Sequence, residues 1–280
     1  MDARTLVLTA ATLVCFAANS LLCRLALAER RIDAASFTAI RLASGAVVLG
    51  LLALGRVRRG ARWSWASAAA LFLYAAPFSF AYLSIGAGPG ALILFAAVQA
   101  TMIGWGIVRG ERPRPAVWIG LAIALGGLVG LTVPGRAAPD PLGAAVMVVA
   151  GIGWGVYSLR GRAMSGDPIA ANGAAFLLSL PLAAALVGVA GASTGLAASP
   201  RGVLLATLSG AIASGLGYSL WYAALRGLTA TRAAVVQLLV PVIAAAGGVA
   251  LLGEHVTPRM GIAAAAILGG VALAVRGRAR

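Results

Sequence analysis

Lysine is absent from this chain, and acidic residues are scarce. The 280 residues include 7 acidic residues, 1 histidine and 2 cysteines, and all 22 basic residues are arginine. Without lysine there is no Walker A motif, which excludes ATP-driven pumping by this chain. One histidine and two cysteines are too few for a zinc cluster. The sequence therefore predicts no metal, no cofactor and no catalytic residue.

Polar residues are also too few to cover a water-soluble protein. Hydrophobic residues make up 61% of the chain, charged residues 10%, and the mean hydropathy is +0.97. Soluble domains have about 45–50% apolar and about 25% charged residues. The net charge is +15, but the arginines are not gathered on one polar face, so no nucleic-acid partner is expected. We predict an all-α polytopic membrane protein in contact with membrane lipids.

The arginines separate apolar runs of about 20 residues, the length that crosses a bilayer. These runs predict ten membrane-spanning helices, which we call spans 1 to 10. Their bounds are 5–27, 34–54, 65–85, 90–108, 115–133, 142–159, 171–190, 203–225, 232–252 and 259–275. Fifteen arginines flank the side of the N-terminus and five flank the other side. This excess predicts an inner-membrane protein with both termini in the cytoplasm.

The two halves of the chain carry matching residues. Spans 4 and 5 match spans 9 and 10 at an offset of 143, where a Gly-Glu-x-x-x-Pro sequence begins at Gly110 and again at Gly253. Spans 1 and 6 match at an offset of 138, which pairs Arg24 with Arg162. The predicted repeats are residues 1–135 and 136–280, with five spans each. Because five is odd, the second repeat is inverted, an arrangement typical of secondary transporters.

Several stretches resemble the EamA family of the drug/metabolite transporter superfamily. They are the run 19–27 followed by 37–42, the stretch from Gly110 to Gly127, and the stretch from Val240 to Gly270. This resemblance covers essentially the whole chain. It implies a ten-helix inner-membrane carrier that exports amino acids or related metabolites, with aromatic amino acid exporters among its members. That substrate class is an analogy with the family.

Aromatic side chains form two stripes at helical spacing. Tyr74, Phe78 and Tyr82 share one face of span 3, and Tyr218, Trp221 and Tyr222 share one face of span 8. Facing a central cavity, the stripes would suit an aromatic substrate. The alternative is core packing or an interfacial belt, with Tyr82 and Tyr222 nearest the helix ends.

Polar and aromatic residues in four other spans complete the predicted substrate-binding set. They are Asn19 in span 1, Gln99 in span 4, Trp154 and Tyr157 in span 6, and Gln237 in span 9. A polar side chain in mid-span faces protein or water and not lipid. Each polar member therefore either contacts substrate or makes a hydrogen bond between helices.

Charged residues near span ends also allow two interpretations. Arg41 either clamps a substrate carboxylate or extends to the outer surface, and we expect the second; Arg24 is expected to anchor its helix. Glu111 and Glu254 either form a gate or proton site or satisfy amides at the start of the next helix, and we again expect the second. His255, in a loop, is expected at the surface.

Small-residue patterns in two spans predict close contacts between helices. Gly126 and Gly130 form a GxxxG pattern in span 5, and Gly261, Ala265 and Gly269 repeat small residues in span 10. Such residues let helices approach closely in a membrane. Glycine also recurs at positions 151, 153 and 155, but no strand precedes this run, so it is not a dinucleotide-binding motif.

Together these observations predict a secondary transporter, monomer or homodimer, that exports small organic molecules by alternating access. The alternatives are an intramembrane enzyme or lipid-handling protein, and a channel. No carboxylate falls in the middle of a span, and no ring of polar residues indicates a channel. Because proton-coupled carriers generally use intramembrane carboxylates or histidines, we expect downhill export, with proton coupling through Glu111 or Glu254 as the alternative.

Overall fold

The structure, a computed structural model, describes residues 3–54, 63–110, 114–132, 138–163, 167–193, 195–225, 227, 236–237 and 239–276. Within these ranges the chain is helical, and the extended pairing is a single bridge between Ile32 and Ala198. The helices are α1 (Ala3–Ala28), α2 (Ala34–Ala53), α3 (Trp65–Ala81), α4 (Ala87–Val108), α5 (Pro115–Thr132), α6 (Pro141–Ala163), α7 (Pro168–Ser193), α8 (Pro200–Leu208), a π-helix (Ser209–Leu216), α9 (Gly217–Leu225), α10 (Leu239–Leu252) and α11 (Pro258–Arg276). Spans 1–7 correspond to α1–α7, span 8 to α8, the π-helix and α9 together, and spans 9 and 10 to α10 and α11.

Six helical segments are long and apolar enough to cross a membrane. They are Ala3–Ala28, Ala34–Ala53, Ala87–Val108, Pro141–Gly161, Ile169–Ser193 and Pro200–Trp221. Four more apolar helices have 10–17 residues, namely Trp65–Ala81, Pro115–Leu131, Leu239–Leu252 and Pro258–Leu273. The chain is therefore a multi-pass membrane protein, and the prediction of an all-helical fold is confirmed for the residues described. The arrangement as ten spans in two inverted repeats stays a prediction.

Four helices of the second half begin with a capping residue followed by proline. The side chains of Asp140, Asp167, Ser199 and Thr257 each accept a hydrogen bond from an amide of the first turn. Proline suits the first helical position because its missing N–H has no partner there in any case. The predicted spans begin one to three residues later than these helices, because the apolar runs start after the capping residue and the proline.

Helices of one half pack mainly against helices of the other half. The pairs are α1 with α9 and α10, α2 with α7 and the π-helix, α3 with α6 and α7, α4 with α6 and α10, and α5 with α11. Exchanging the halves leaves this set of pairs unchanged. For example, α3 on α6 corresponds to α9 on α1, and α7 on α3 corresponds to the π-helix on α2. The centre of the core therefore lies between the halves.

Glycines allow the closest of these approaches. A β-carbon at Gly153 would lie 2.6 Å from the backbone nitrogen of Tyr74, and one at Gly151 would lie 2.7 Å from the carbonyl oxygen of Leu94. The glycine run of α6 therefore lets this helix pack closely against both α3 and α4. A β-carbon at Gly210 would overlap the carbonyl oxygen of Arg41, so the π-helix lies directly on α2.

The contact between α5 and α11 uses other glycines than those predicted. A β-carbon at Gly127 would lie 2.8 Å from the side chain of Ala266, and one at Gly270 would lie 2.5 Å from the carbonyl oxygen of Gly120. At Gly126, Gly130, Gly261 and Gly269 a β-carbon would meet none of the described residues within 4 Å. The predicted glycine pairs are therefore wrong as contacts, because the residue one position on, about 100° around the helix, faces the partner.

Candidate functional site

Aromatic rings from both halves meet at the centre of the molecule. The ring centroid of Trp154 lies 4.9 Å from those of Tyr74 and Tyr218 and 5.9 Å from that of Phe16. Phe78 continues the cluster at 5.2 Å from Tyr74. Tilted and edge-to-face pairs such as these are the favourable arrangements of aromatic rings. The stripes of spans 3 and 8 therefore meet through Trp154 of span 6.

A small cavity lies inside this aromatic cluster. Its walls are formed by nine residues, namely Phe16, Asn19, Ser20, Tyr74, Phe78, Leu94, Phe95, Trp154 and Tyr218. The free volume is about 20 Å³, enough for a water molecule and too little for an organic substrate. An organic molecule would fit between these residues only if the rings moved apart.

Arg41 of α2 lies directly behind the rings and is only 1% exposed. Its Nη2 donates a hydrogen bond to the Tyr74 hydroxyl at 2.8 Å, and its Nε donates to Ser214 Oγ at 3.1 Å. The guanidinium carbon also lies 4.9 Å from the ring centroids of Tyr74 and Phe78, within the range of a cation–π interaction. The π-helix crosses α2 at this level with no space between the backbones.

The predicted extension of Arg41 to the outer surface is therefore wrong. The π-helix lies against α2 at this residue, where a β-carbon at Gly210 would overlap the carbonyl oxygen of Arg41. Hydroxyl groups and ring faces hold the charge inside instead. A mid-span arginine was visible in the sequence, but its burial depends on a helix 170 residues away in the chain.

Asn19 links the aromatic cluster to the π-helix. Its Nδ2 donates to the Tyr74 hydroxyl at 3.3 Å, and its Oδ1 accepts a hydrogen bond from Ser209 Oγ at 2.5 Å. Ser209 and Ser214 both lie in the π-helix, a form often found at functional sites. The predicted bond between helices is confirmed for Asn19, and the residue also lines the cavity.

Tyr82 lies inside the protein, so the alternative of an interfacial belt is wrong for this residue. Its side chain is fully buried, with its ring 4.8 Å from that of Phe78. A β-carbon at Gly90 would lie 2.5 Å from the Tyr82 ring. The missing side chain of this glycine therefore makes room for the tyrosine at the start of α4.

The remaining predicted residues lie around the cavity or apart from it. Trp221 packs on Phe16 at 5.8 Å, and Tyr157 packs on Trp154 at 5.8 Å and donates a hydrogen bond to Asn172. Gln99 is buried on α4 but does not line the cavity, and Gln237 is partly exposed. The side chain of Tyr222 lies outside the part that the structure describes. The prediction did not include four lining residues, namely Phe16, Ser20, Leu94 and Phe95.

An ion pair between the halves closes the end of the cluster near Tyr82. Arg24 Nε lies 3.4 Å from Glu254 Oε1, and Arg24 Nη1 donates to the carbonyl oxygen of Tyr82 at 2.8 Å. The Glu254 carboxylate also accepts a hydrogen bond from the Ala87 amide at 2.9 Å. It therefore stabilises the positive N-terminal end of α4.

The prediction for Glu254 is correct about its role at a helix start and wrong about which helix. Gly253, with φ of +64°, turns the chain in a conformation that favours glycine. The carboxylate then reaches α4 of the other half instead of α11, which follows it in the chain. Glu111, the matching residue, lies outside the described residues. His255 is exposed, as predicted.

Two further polar contacts join the halves. Arg160 of α6 donates to Ser64 Oγ at 2.9 Å and to Ser67 Oγ at 3.1 Å, at the start of α3. In the loops, Asp33 accepts hydrogen bonds from the Ser36 amide at 2.8 Å and the Ala197 amide at 3.0 Å. Burial opposes ionisation of Asp33, but these hydrogen bonds outweigh it and lower the pKa of the carboxyl group.

Known proteins similar to this chain are transporters or have no assigned function. The sequence model of the EamA-like transporter family matches residues 141–276. An uncharacterized protein of Pseudomonas aeruginosa is 50% identical over 274 residues, which cover 97% of this chain and 94% of that protein. This chain belongs to the EamA-like transporter family. The uncharacterized transporter YwfM of Bacillus subtilis is 28% identical over 243 residues, which cover 83% of this chain and 81% of the relative.

A solved structure shares the fold of this EamA-like transporter. The TM-score is 0.64 at 23% sequence identity, and the match covers 95% of this chain and 98% of the other. The central cluster of the EamA-like transporter offers ring faces, hydroxyl groups and one guanidinium group. Among the described residues, no group of three His, Cys, Asp or Glu side chains could hold a metal ion. Ring faces, hydroxyl groups and a guanidinium group can bind an organic molecule by apolar contact and hydrogen bonds.

Proposed function

We propose that this protein exports small organic metabolites, most favourably amino acids and aromatic amino acids among them, across the inner membrane by alternating access. The observation that carries the proposal is the aromatic cavity built from both halves. Trp154 and Tyr218 come from the second half, and Phe16 and Tyr74 from the first. A movement of one half against the other would therefore separate the rings and open the cavity.

The packing of the helices supports two inverted repeats, residues 1–135 and 136–280. Exchange of the halves leaves the nine most extensive helix pairs unchanged. The matched glycines also agree in conformation, with φ of +89° at Gly110 and +64° at Gly253. Two halves of similar structure can exchange their conformations, which gives one state open to each side. With both termini in the cytoplasm, Arg24 and Glu254 close the outer end.

The site favours downhill export, which is driven by the concentration gradient of the substrate itself. The described charged group at the centre is the guanidinium of Arg41, which stays protonated at all physiological pH values. The acidic residues of the whole sequence lie at or beyond the ends of the helices. A central proton-binding site, as proton-coupled carriers generally use, is therefore not supported by the residues at the centre.

Counterflow into proteoliposomes tests the proposal. Vesicles loaded with unlabelled phenylalanine, tryptophan or alanine are expected to take up the labelled compound faster than vesicles without protein. Tyr74→Ala and Tyr218→Ala are each expected to lower phenylalanine counterflow by up to about tenfold, because one aromatic pair contributes about 0.5–1.5 kcal/mol beyond burial. Alanine counterflow should fall less.

Trp118→Ala is the matched control for these variants. Trp118 is an aromatic residue of α5 that is 51% exposed and lies outside the cluster, so counterflow should be unchanged at equal protein level. An equal loss for phenylalanine and alanine in Tyr74→Ala would mean that the rings only pack. Absence of counterflow for every amino acid in a panel of 20 would contradict the proposed function itself.

A further inference from the structure

Arg41 places a positive charge at the centre without a neighbouring carboxylate. In the part of the chain that the structure describes, the ion pairs are Arg24 with Glu254 and Arg31 with Glu29. All acidic residues of the sequence lie at or beyond helix ends, at positions 2, 29, 33, 111, 140, 167 and 254. A buried charge without a partner is costly. The missing negative charge is therefore one that a ligand can supply.

Hydrogen-bond donors exceed acceptors around Arg41. Its Nη1 is buried and has no hydrogen-bond partner among the residues that the structure describes. The Tyr74 oxygen already accepts from Arg41 Nη2 and Asn19 Nδ2, which uses both of its lone pairs. The Tyr74 hydroxyl group can therefore make a further hydrogen bond only as a donor. Asn19 Oδ1, an acceptor on the cavity wall, is taken by Ser209. Such a site suits a group that only accepts hydrogen bonds.

We infer that this cluster binds a carboxylate of the transported molecule, a step that rests on the proposed function. Arg41 Nη1 and the Tyr74 hydroxyl donate to the carboxylate oxygens, and the rings around Trp154 contact the apolar part. The rings of Tyr74 and Phe78 cover the guanidinium. Their separation exposes it to the cavity. The substrate class is therefore apolar or aromatic carboxylates, with or without an amino group, and excludes their amides and esters.

Competition in the wild-type protein tests this inference. Counterflow of labelled phenylalanine is measured against 3-phenylpropionate, which keeps the carboxylate and lacks the amine, and against phenylalaninamide, which keeps the amine and lacks the carboxylate. The acid is expected to inhibit at a concentration at least about tenfold lower than the amide, since hydrogen bonds to a charged group contribute that much. Equal inhibition by the two compounds would overturn the inference.

Arg41→Gln and Arg41→Lys show whether Arg41 carries this preference. Arg41→Gln is expected to abolish the preference for the acid over the amide, and Arg41→Lys to retain part of it. Arg160→Gln is the matched control, because Arg160 also donates to two hydroxyl groups between helices but lies away from the cavity walls. It should keep the full preference. If Arg41 had only a structural role, Arg41→Gln would weaken inhibition by the acid and inhibition by the amide in the same proportion.

Two further measurements keep the inference testable if a variant misfolds or flux is absent. Tyr74→Phe keeps the ring and is expected to reduce the preference for the acid, so it replaces Arg41→Gln if that variant aggregates. Thermal stabilisation of the detergent-solubilised protein by 3-phenylpropionate, and not by phenylalaninamide, reports binding without flux. Stabilisation by the acid without any counterflow would contradict the proposed function and leave the carboxylate site standing. Equal or absent stabilisation would overturn the carboxylate site.

Discussion

Removal of one hydroxyl group, in Tyr74→Phe, tests the hydrogen-bond network around Arg41. The Tyr74 hydroxyl accepts from Arg41 at 2.8 Å and from Asn19 at 3.3 Å. The Tyr218 hydroxyl lies 3.5 Å from the same Arg41 nitrogen, at the limit of a hydrogen bond. Tyr74→Phe and Tyr218→Phe both leave the rings in place, so packing around Trp154 is unchanged. Any difference between the two variants therefore reports the hydrogen bonds.

Tyr74→Phe is expected to lower the free energy of unfolding by about 1–2 kcal/mol. Hydrogen bonds to charged groups contribute about 1.5–3 kcal/mol in soluble proteins, whereas bonds between membrane helices average about 0.6 and reach about 1.7 kcal/mol. The charge of Arg41 and the second bond from Asn19 place Tyr74 at the upper end of the membrane range. For Tyr218→Phe the expected loss is below about 0.5 kcal/mol, because the bond is long.

Unfolding by sodium dodecyl sulfate in mixed micelles measures these free energies, with tryptophan fluorescence as the signal. The double variant Tyr74→Phe with Arg41→Gln completes a cycle, in which the two losses should not add. An equal loss in Tyr74→Phe and Tyr218→Phe, or full additivity with Arg41→Gln, would refute the assignment of the network to Arg41 and Tyr74.

Three further predictions concern the contacts between the halves and the topology. Arg24→Glu should lower counterflow by placing two carboxylates together, and Arg24→Glu with Glu254→Arg should restore part of it; no recovery would contradict the ion pair. Because hydrogen bonds lower the pKa of Asp33, its stabilising contribution is complete above the ordinary carboxyl pKa of about 3.9 and is lost as the pH falls through the lowered value. The melting temperature should therefore drop more on acidification in the wild type than in Asp33→Asn, and parallel curves would contradict this. A reporter that is active only in the periplasm should be silent after Arg280 and active in the loop near Asp140, and the reverse pattern would overturn the topology.

The helices could be predicted from the sequence because a helix in lipid is apolar over most of its length. The apolar runs placed nine of the ten spans within about four residues of the helical bounds, and the predicted start of span 9 at residue 232 lies outside the described residues. The rotation of each helix could not be predicted in the same way, since lipid-facing and protein-facing sides are both apolar. The contact through Gly127 instead of Gly126 and Gly130 is an error of this kind.

The site was predictable only in part, because the sequence gives the type and spacing of side chains along one helix but not the contacts between helices. Large rings at helical spacing indicated the cluster, and Tyr74, Phe78, Trp154 and Tyr218 do line one cavity with Asn19. The place of Arg41 was not predictable from α2 alone. It depends on the close crossing of α2 by the π-helix, and therefore on contacts between residues far apart in the chain.

Transport by the proposed mechanism requires the cavity between the halves to open to each side of the membrane in turn and to bind substrate there. Phe95→Cys places a thiol on the cavity wall once Cys15 and Cys23, both free thiols, are replaced by alanine. A membrane-impermeant thiol reagent is added to right-side-out and inside-out vesicles, with His255→Cys as an exposed control. The thiol of Phe95→Cys is expected to react from both sides, and phenylalanine is expected to slow the reaction. Reaction from one side only, or none while the control reacts, would contradict alternating access.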